Sequence, residues 1–329
     1  MKNTHGIETL TNKFLSYLRA RFENHYIDLA SPLVRLQGGY ETATYRFELN
    51  NVPCELSRPL VLRLYPDFYG TKNAIWESTV QNILFEKEFP VAQAHLVCTD
   101  ISVLGGAFFI MDHLPGKILA AAPRDNVPDL LGKIHAKLHS IDPTPLVEAF
   151  TTKGIPEKEY RLTSRFDWIN KKAKKLSWLH QVADWLLENH PPEPEQLSVC
   201  HGDFHPFNLL YKRGEITGVL DWPGFAIGDP VFDIANTIVI ITISAKHLAG
   251  SMGDFSSIDW GLMADLYLAA YRAHRPLDET NLGYYQARRC VLALIQGTEG
   301  QQVWQHPLIV QDLLANILDI TGIQISMPE

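Results

Sequence analysis

One short segment of the chain restricts its fold and chemistry more than any other. The string HGDFHPFN places Asp203 five residues before Asn208, and Asp221 follows eighteen residues after Asp203. Between Asn208 and Asp221 lie two short apolar runs separated by a polar turn that contains Gly214. Apolar runs around a glycine-containing turn predict a β-hairpin, which would bring Asp221 back beside Asn208.

The three oxygen-bearing side chains of this segment suit phosphoryl transfer. A carboxylate such as Asp203 can accept the proton of an attacking hydroxyl and orient it. Mg²⁺ prefers oxygen ligands, and Asp221 and Asn208 would supply a carboxylate and an amide oxygen. The catalytic Asp, the metal-binding Asn and the metal-binding Asp of protein kinases have the same order and spacing. The segment therefore predicts a magnesium-dependent phosphotransferase.

Other interpretations of these residues stay open. An isolated Asp and Asn five residues apart usually serve a turn. His201 and His205 beside Asp203 could form the zinc site of a hydrolase, although Pro206 disfavours the helix that would align the two rings. A nucleotide-binding protein with little transfer activity is a further alternative.

The segment resembles the aminoglycoside phosphotransferase and choline kinase-like family. The family patterns HGDxHxxN, I/L-D-W and GDPxxD are matched by His201 to Asn208, by Leu220 to Trp222 and by Gly228 to Asp233. The resemblance implies an α+β, bilobal fold like that of protein kinases, with a small N-terminal lobe containing an antiparallel sheet and a larger, mostly helical C-terminal lobe. It also implies ATP as the phosphoryl donor, with GTP as an alternative, and Mg²⁺ as the metal.

The resemblance assigns roles to polar residues of the segment. Asp203 would be the catalytic base, and Asn208 and Asp221 would hold Mg²⁺. Asp229 and Asp233 would brace the catalytic loop. Apart from the resemblance, His201 is interpreted as an orienting or packing residue and His205 as a further supporting residue. For Asp229 and Asp233, capping of the helix predicted from Val231 is a simpler role, and the two roles are compatible.

The N-terminal part of the chain fits a nucleotide-binding lobe. Two predicted strands, Leu33 to Leu36 and Thr42 to Leu49, flank Gly38 and Gly39. A loop without side chains could bring backbone amides close to phosphates, although an ordinary hairpin turn would also explain two glycines.

Arg63 lies on a third predicted strand, at the position where kinase-like folds carry a phosphate-binding lysine. Arginine and lysine contact phosphates differently, so this is a departure from the kinase pattern. Glu77, on a helix predicted over residues 73–87, is the candidate ion-pair partner of Arg63. The alternative for Glu77 is a solvated helix carboxylate.

A later predicted strand, Ala107 to Met111, runs into a segment that resembles the interlobe hinge of the family. There the adenine would bond to the backbone at Asp112 and Leu114, and Met111 would pack against its ring. A methionine that ends an apolar strand is equally typical of an ordinary core.

The length of the chain indicates two lobes. We expect a nucleotide-binding lobe over residues 1–113 and a catalytic and substrate-binding lobe over residues 114–329, because 329 residues exceed the usual size of a single core. The N-terminal lobe would begin with an amphipathic helix, and the apolar stretch Ile234 to Ile243 would be a buried central helix of the larger lobe.

Charge and cysteine content restrict the partners. The net charge of −8 argues against nucleic acid, and the longest apolar stretch is too short to span a bilayer. Four scattered cysteines without metal-type spacing predict reduced thiols in a cytoplasm. From residue 224 onward, eleven acidic residues against five basic ones would suit a hydroxylated, cationic small-molecule substrate such as an aminoglycoside or an amino alcohol.

Overall fold

The structure, a computed structural model, describes residues 4–36, 42–65, 70–247 and 259–327. The chain divides into two compact units. The first comprises residues 1–116 together with 217–219, and the second comprises residues 117–216 and 220–329.

The first unit contains a five-stranded antiparallel sheet with the strand order β1-β2-β3-β5-β4. Its elements in chain order are α1 (Thr4–Arg21), β1 (Asp28–Arg35), β2 (Ala43–Asn50), β3 (Leu60–Tyr65), α2 (Gly70–Glu86), β4 (Ala94–Cys98), α3 (Ile101–Leu104) and β5 (Ala107–Asp112). The predicted N-terminal helix and all the predicted strands are present. Strand β1, however, begins five residues before its predicted start, because Ser31 and Pro32 interrupt its apolar pattern. Pro32 is tolerated there because β1 is an edge strand.

The two faces of the sheet pack against different helices. Successive side chains of a strand point to opposite faces. Leu60, Leu62 and Leu64 of β3 therefore join the core that contains Phe14 and Leu18 of α1. On the opposite face, Val61 and Tyr65 pack with Ala74 of α2, with Phe109 and with Met111. Because Arg63 lies between Leu62 and Leu64, it shares the face that α2 covers.

The second unit is mostly helical. Its helices are α4 (Val127–His139), α5 (Thr144–Thr152), α6 (Leu162–Ala173), α7 (His180–Glu188), α8 (Pro230–Val239), α9 (Trp260–His274), α10 (Leu282–Thr298) and α11 (Pro307–Thr321). Its strands are β6 (Lys117–Ile118), β7 (Ser198–Cys200), β8 (Leu209–Lys212), β9 (Glu215–Val219) and β10 (Ala226–Gly228), although the last three residues of β9 belong to the first unit. Antiparallel pairing joins β7 to β10 and β6 to β8. The predicted hairpin is confirmed, with Arg213 and Gly214 between β8 and β9 in the left-handed conformation of a tight turn.

Helix α8 lies at the centre of the second unit. Asp229 caps it and Pro230 occupies its first turn, which are favoured residues for a helix start. Every residue from Val231 to Val239 is buried, including the polar residues Asp233, Asn236 and Thr237. The predicted buried helix is thus confirmed, but its end, Ile240–Ala245, is a π-helix.

No helix in the described part of the chain combines the length and apolar character needed to cross a bilayer. The four cysteines are free thiols, and Cys98, Cys200 and Cys290 are buried. Location in a cytoplasm stays a prediction.

Candidate active site

The loop that follows β7 is closed by Asn208. Its side-chain nitrogen donates to the backbone carbonyl of Asp203 at 3.0 Å and to Oδ2 of the same residue at 3.2 Å. The carboxylate of Asp203 remains 43 % exposed. Because the amide nitrogen of Asn208 makes these contacts inside the loop, its amide oxygen is the atom that is a potential ligand for a cation.

His201 joins this loop to the residue before Asp221. Its Nδ1 accepts the backbone N–H of Asp203 at 3.2 Å, and its Nε2 donates to the carbonyl of Leu220 at 2.9 Å. Burial lowers the pKa of His201, so the ring is neutral and these two contacts fix its tautomer. The N–H of Leu220 in turn donates to the carbonyl of Asn208 at 2.8 Å. The structure therefore holds Asp221 next to the loop, and neither ring nitrogen of His201 is left for a zinc ion.

Asp221 itself has an unusual backbone conformation. Its φ of 70° and ψ of 71° lie in the left-handed region, which few residues other than glycine occupy. Such conformations persist only where the surrounding structure enforces them, and they concentrate at functional sites.

Gly202 and Gly224 allow the main chain of the loop that contains Asp203 to contact the segment that follows Asp221. A Cβ added to Gly202 would lie 2.1 Å from the carbonyl oxygen of Gly224, and one added to Gly224 would lie 2.7 Å from the carbonyl oxygen of His201. The half-buried side chain of Arg165 donates to the carbonyl of Gly224 and to that of Phe225, which fixes the same segment. No role was predicted from the sequence for any of these three positions.

The carboxyl of Asp203 is ionised at neutral pH. Burial alone would raise its pKa, but the charge and hydrogen bonding of His205, with smaller effects of Arg289 and His201, lower it below the usual range. Nε2 of His205 lies 3.4 Å from Oδ2 of Asp203. Asp203 is therefore a carboxylate that can accept a hydrogen bond from an alcohol.

Asp233, fully buried on α8, contacts the backbone of the same loop. Its Oδ1 accepts the N–H of Gly202 at 2.7 Å, and its Oδ2 accepts the N–H of His201 at 2.5 Å. Asp229 has a different role, because its Oδ1 accepts the N–H of Val231 at 2.9 Å and so caps α8. Tyr285 donates to the other oxygen of Asp229 at 3.0 Å. Capping thus applies to Asp229, and Asp233 is the carboxylate that binds the loop.

Two histidines of α4 complete the surroundings of Asp233. Nε2 of His135 and Nε2 of His139 lie 3.1 Å and 3.3 Å from Oδ2 of Asp233. The Nδ1 atoms of the two rings are hydrogen-bonded to the hydroxyls of Tyr267 at 2.7 Å and Tyr271 at 2.9 Å.

Burial alone would raise the pKa of Asp233, but the hydrogen bonds from both histidines hold it well below the usual range. Burial lowers the pKa of His139 to about 3, so this ring is neutral.

The side chains of His135, His139 and Asp233 are as close together as the ligands of a metal site. Among the residues that the structure describes, the ligand atoms of His135, His139 and Asp233 lie within 4.8 Å of one another. Hydrogen bonds already account for both nitrogens of each ring and for the carboxylate, so the group forms a closed network without an ion. The signal in the sequence is the spacing of four residues within the pair on α4 and within the tyrosine pair on α9.

Asn236 and Thr237 extend the contact between α8 and the loop. The hydroxyl of Thr237 donates to the carbonyl of Phe204 at 2.7 Å, and the side-chain nitrogen of Asn236 donates to the carbonyl of Gly202 at 3.2 Å. They lie three and four residues after Asp233, on the same face of α8. In the sequence they are two polar residues within an apolar stretch, and this exception to the pattern is the signal that could have identified them.

The first unit brings Arg63 and Glu77 together. Nε of Arg63 lies 3.1 Å from Oε2 of Glu77, and Nη2 donates to Oε1 at 3.3 Å. The side chain of Glu77 is only 1 % exposed, so the alternative of a solvated helix carboxylate is wrong. Arg63 also contacts the hydroxyl of Tyr65 at 3.1 Å, and burial together with the charge of Glu77 raises the pKa of that tyrosine.

The predicted hinge residues lie at the end of β5 in the same unit. Met111 is buried in the cluster that contains Val61, and Leu36 and Leu114 pack against this cluster. The N–H of Asp112 donates to the carbonyl of Gln93 at 3.0 Å. Gly38 and Gly39 lie outside the described residues.

Comparison with known proteins defines the family. A model described as "phosphotransferase enzyme family" matches residues 32–280, three quarters of the chain. The chain belongs to the phosphotransferase enzyme family. The predicted resemblance and the predicted enzyme class, a phosphotransferase, are thereby confirmed.

Solved structures of related folds confirm the kinase-like α+β architecture. A thermostable mutant of the aminoglycoside phosphotransferase APH(4)-Ia aligns with a TM-score of 0.61 and 16% identity, over 94% of this chain and 99% of that one. Amicoumacin kinase hAmiN, in complex with AMP-PNP and Ca²⁺, aligns with a TM-score of 0.59 and 15% identity, over 88% and 87% of the two chains.

Among curated proteins, the chain is similar to human acyl-CoA dehydrogenase family member 11. The two are 29% identical over 171 residues, which make up 49% of this chain and 22% of that protein. The chain thus spans about a fifth of the length of the curated relatives that it first matches.

Proposed function

We propose that this phosphotransferase transfers the γ-phosphoryl group of ATP to a hydroxyl of a small molecule, with Mg²⁺ as the required metal. The observation that carries the proposal is that the amide nitrogen of Asn208 donates to the backbone carbonyl and to the carboxylate of Asp203, so that the amide oxygen of the same side chain can serve as a metal ligand. One residue thereby positions the base and supplies a ligand for the metal, as phosphoryl transfer in kinase folds requires.

In this proposal Asp203 accepts the proton of the acceptor hydroxyl. Its lowered pKa keeps it ionised, and the network around Asp233 holds its loop in place. A base of low pKa takes up the proton late in the reaction, so its main contribution is to orient the hydroxyl for in-line attack. His205 and His201 would preserve the position and charge of Asp203.

Mg²⁺ would be held by the carboxylate of Asp221 and by the amide oxygen of Asn208. A carboxylate and an amide oxygen are the ligand types that this hard cation prefers. When bound, the metal would supply positive charge that offsets the negative charge of the phosphates. His201 would keep both ligands in register, because it and Leu220 connect the loop of Asn208 to the residue before Asp221.

In the first unit, Arg63 would bind the nucleotide phosphates. Buried Glu77 contacts Nε and Nη2 of Arg63 and so fixes the orientation of its guanidinium. The apolar cluster of Met111, Val61 and Leu114 would receive the adenine ring. Because the N–H of Asp112 is already bonded to Gln93, the adenine would meet the carbonyl of Asp112 and the backbone of Leu114. AMP-PNP in amicoumacin kinase supports an adenine nucleotide, and GTP is the alternative to test.

The proposal is tested by replacing Asp203 with Asn. A panel of alcohols would be incubated with ATP or GTP and Mg²⁺, and phosphorylated products would be detected by mass spectrometry. We expect Asp203→Asn to reduce transfer by about 10²- to 10⁴-fold, the usual effect of losing a general base, while calorimetry finds unchanged binding of AMP-PNP. Near-normal transfer by this variant would contradict the role of Asp203. Binding of nucleotide without transfer to any alcohol would instead favour the alternative of a nucleotide-binding protein.

A further inference from the structure

Residues 222–228 form a linking segment that leads from Asp221 to the residue that caps α8. Gly224 of this segment lies against the main chain of His201 and Gly202, which precede Asp203. Further contacts to the segment come from residues 160–165, at the start of α6. The linking segment is therefore fixed by two separate parts of the second unit.

Arg165 of α6 contacts the linking segment with its side chain. Its Nη1 donates to the carbonyl of Gly224, and its Nη2 donates to the carbonyl of Phe225. A planar guanidinium holds two acceptors in a fixed relative geometry, whereas the ammonium group of a lysine is a single point of contact. Arg165 therefore fixes the main chain three and four residues after Asp221.

The residues before Arg165 hold a later part of the same segment. The N–H of Ile227 donates to the carbonyl of Tyr160 at 2.7 Å. A Cβ added to Gly228 would lie 2.5 Å from the Cβ of Leu162, so the start of α6 and the main chain of the segment are in direct contact there. These contacts do not involve the guanidinium. Its own effect is on the part of the segment that is nearer to Asp221.

The main chain before Asp221 is fixed by different contacts. The N–H of Leu220 donates to the carbonyl of Asn208 at 2.8 Å, and the carbonyl of Leu220 accepts Nε2 of His201 at 2.9 Å. Asp221 thus lies between this fixed residue and the two carbonyls that Arg165 binds. Its φ of 70° is a conformation that only contacts on both sides can enforce.

We propose that Arg165 is a positioning residue for Mg²⁺, which acts on the metal through the main chain of Asp221. By fixing Gly224 and Phe225, it holds the carboxylate of Asp221 in register with the amide oxygen of Asn208. The inference rests on the proposed phosphotransferase function and adds a residue outside the family motifs that sets the affinity for the metal. Residues that orient metal ligands without touching the metal typically change affinity or activity by about 10- to 100-fold when they are replaced.

The test is calorimetric titration of AMP-PNP at a series of Mg²⁺ concentrations, in the parent protein and in Arg165→Met. Methionine keeps an unbranched side chain but has no hydrogen-bond donor. We expect the Mg²⁺ concentration that gives half of the maximal gain in nucleotide affinity to rise by about tenfold or more. The affinity for AMP-PNP without metal should be unchanged. An unchanged Mg²⁺ requirement in this variant would overturn the inference.

The substitution Arg165→Lys keeps the charge but loses the forked donors, so it should raise the Mg²⁺ requirement by less than Arg165→Met does. It also decides the matter if urea unfolding shows that Arg165→Met is not folded. In that case a Mg²⁺ requirement of Arg165→Lys equal to that of the parent would overturn the inference.

Arg161→Met is the matched control for the loss of an arginine. It makes the same chemical change four residues earlier, at a side chain that forms ion pairs with Glu157 and Glu193. We expect it to leave the Mg²⁺ requirement of nucleotide binding unchanged. Equal increases in Arg161→Met and Arg165→Met would show a general effect on the start of α6 and would overturn the role of Arg165.

Transfer kinetics provide a second readout that a merely structural role would not move. At saturating Mg²⁺, Arg165→Met should recover most of the kcat of the parent, because Asp203 and the nucleotide contacts are intact. A kcat that is reduced equally at every Mg²⁺ concentration would overturn the inference.

The two readouts separate this inference from the proposed function. Transfer that is lost in Asp203→Asn, together with an unchanged Mg²⁺ requirement in Arg165→Met, would support the function and overturn the role of Arg165. A raised Mg²⁺ requirement for nucleotide binding in a protein that phosphorylates no alcohol would support the role of Arg165 and overturn the function. Nucleotide binding that is independent of Mg²⁺ in the parent would overturn both.

Discussion

The carboxylate of Asp233 accepts a hydrogen bond from the backbone N–H of Gly202 at 2.7 Å, which attaches the loop of Asp203 to α8. The same carboxylate accepts the N–H of His201 and bonds to two buried histidine rings. A single side chain therefore connects three segments of the second unit, and the network predicts how the protein responds to its loss.

Asp233→Asn should destabilise the protein strongly. The amide supplies one acceptor oxygen in place of two and introduces a donor that faces other donors. We expect a loss of roughly 3 kcal/mol or more in urea unfolding, because a buried charged partner of several hydrogen bonds is removed. The matched control is Asp229→Asn, which keeps a good N-cap residue and should cost less than about 1 kcal/mol. Similar losses for the two variants would show that Asp233 contributes no more than a helix cap.

The two proposed metal ligands should differ in their response to Mg²⁺. Asp221→Ala removes a charged ligand, so we expect transfer to be nearly abolished and nucleotide binding to be weakened only when metal is present. Asn208→Ala removes a neutral ligand and should be partly rescued by raised Mg²⁺. Activity measured across a Mg²⁺ titration distinguishes the two. Equal affinity of the parent protein for nucleotide with and without Mg²⁺ would count against both assignments.

Arg63 and Glu77 should behave as one unit. Arg63→Ala should raise the KM for ATP and lower kcat, and Arg63→Lys should keep part of the activity because charge survives without the forked donor geometry. Glu77→Gln should have a milder effect, and the double substitution Arg63→Ala with Glu77→Gln should add little to Arg63→Ala alone. Arg21→Ala, an exposed change in the same unit, is the control. Full additivity in steady-state kinetics would mean that the observed ion pair has no shared role in catalysis.

The free energy of unfolding should decrease as the pH falls below about 6.5. The folded state keeps His139 neutral, with a pKa of about 3, and burial also lowers the pKa of His201. Unfolded histidine has a pKa of about 6.5, so below that pH the unfolded chain binds more protons than the folded one and stability decreases. Each such histidine contributes a slope of up to about 1.4 kcal/mol per pH unit.

Urea unfolding of the parent and of His139→Asn between about pH 7.5 and about pH 5 measures this contribution. The variant should be less stable at the upper end and should lose stability less steeply on acidification. His180→Gln, which changes an exposed histidine, should keep the slope of the parent. An unchanged slope in His139→Asn would contradict a neutral His139 in the folded protein.

The sequence was most informative where contacts are local. The apolar runs on either side of the turn at Gly214 predicted the hairpin, and the GDPxxD string predicted the start of α8. Both depend on neighbours in the chain and on turn and capping preferences that short segments reveal.

The remaining contacts of the site join residues that are far apart in the chain. His139 and Asp233 are 94 residues apart, and His135 and Tyr267 are 132 apart. Spacing along a helix shows which residues share a face, but it does not identify the element that the face meets. The net charge of a region likewise does not predict the charge at a site within it. Some of the carboxylates that contribute to the net charge form ion pairs or cap helices and do not face a ligand.

The contact between Gly202 and Gly224 has a consequence for how this protein can evolve. Each glycine leaves room for the main chain of the other segment, so neither position has a side chain that could be shortened to accommodate a larger partner. In a library that randomises both codons and is sorted for folded protein, we expect the two glycines to be retained together. A substitution at either glycine should not be rescued by a substitution at the other. Variants that first acquire a larger residue at one of the two positions should therefore not regain the folded state by a change at the other.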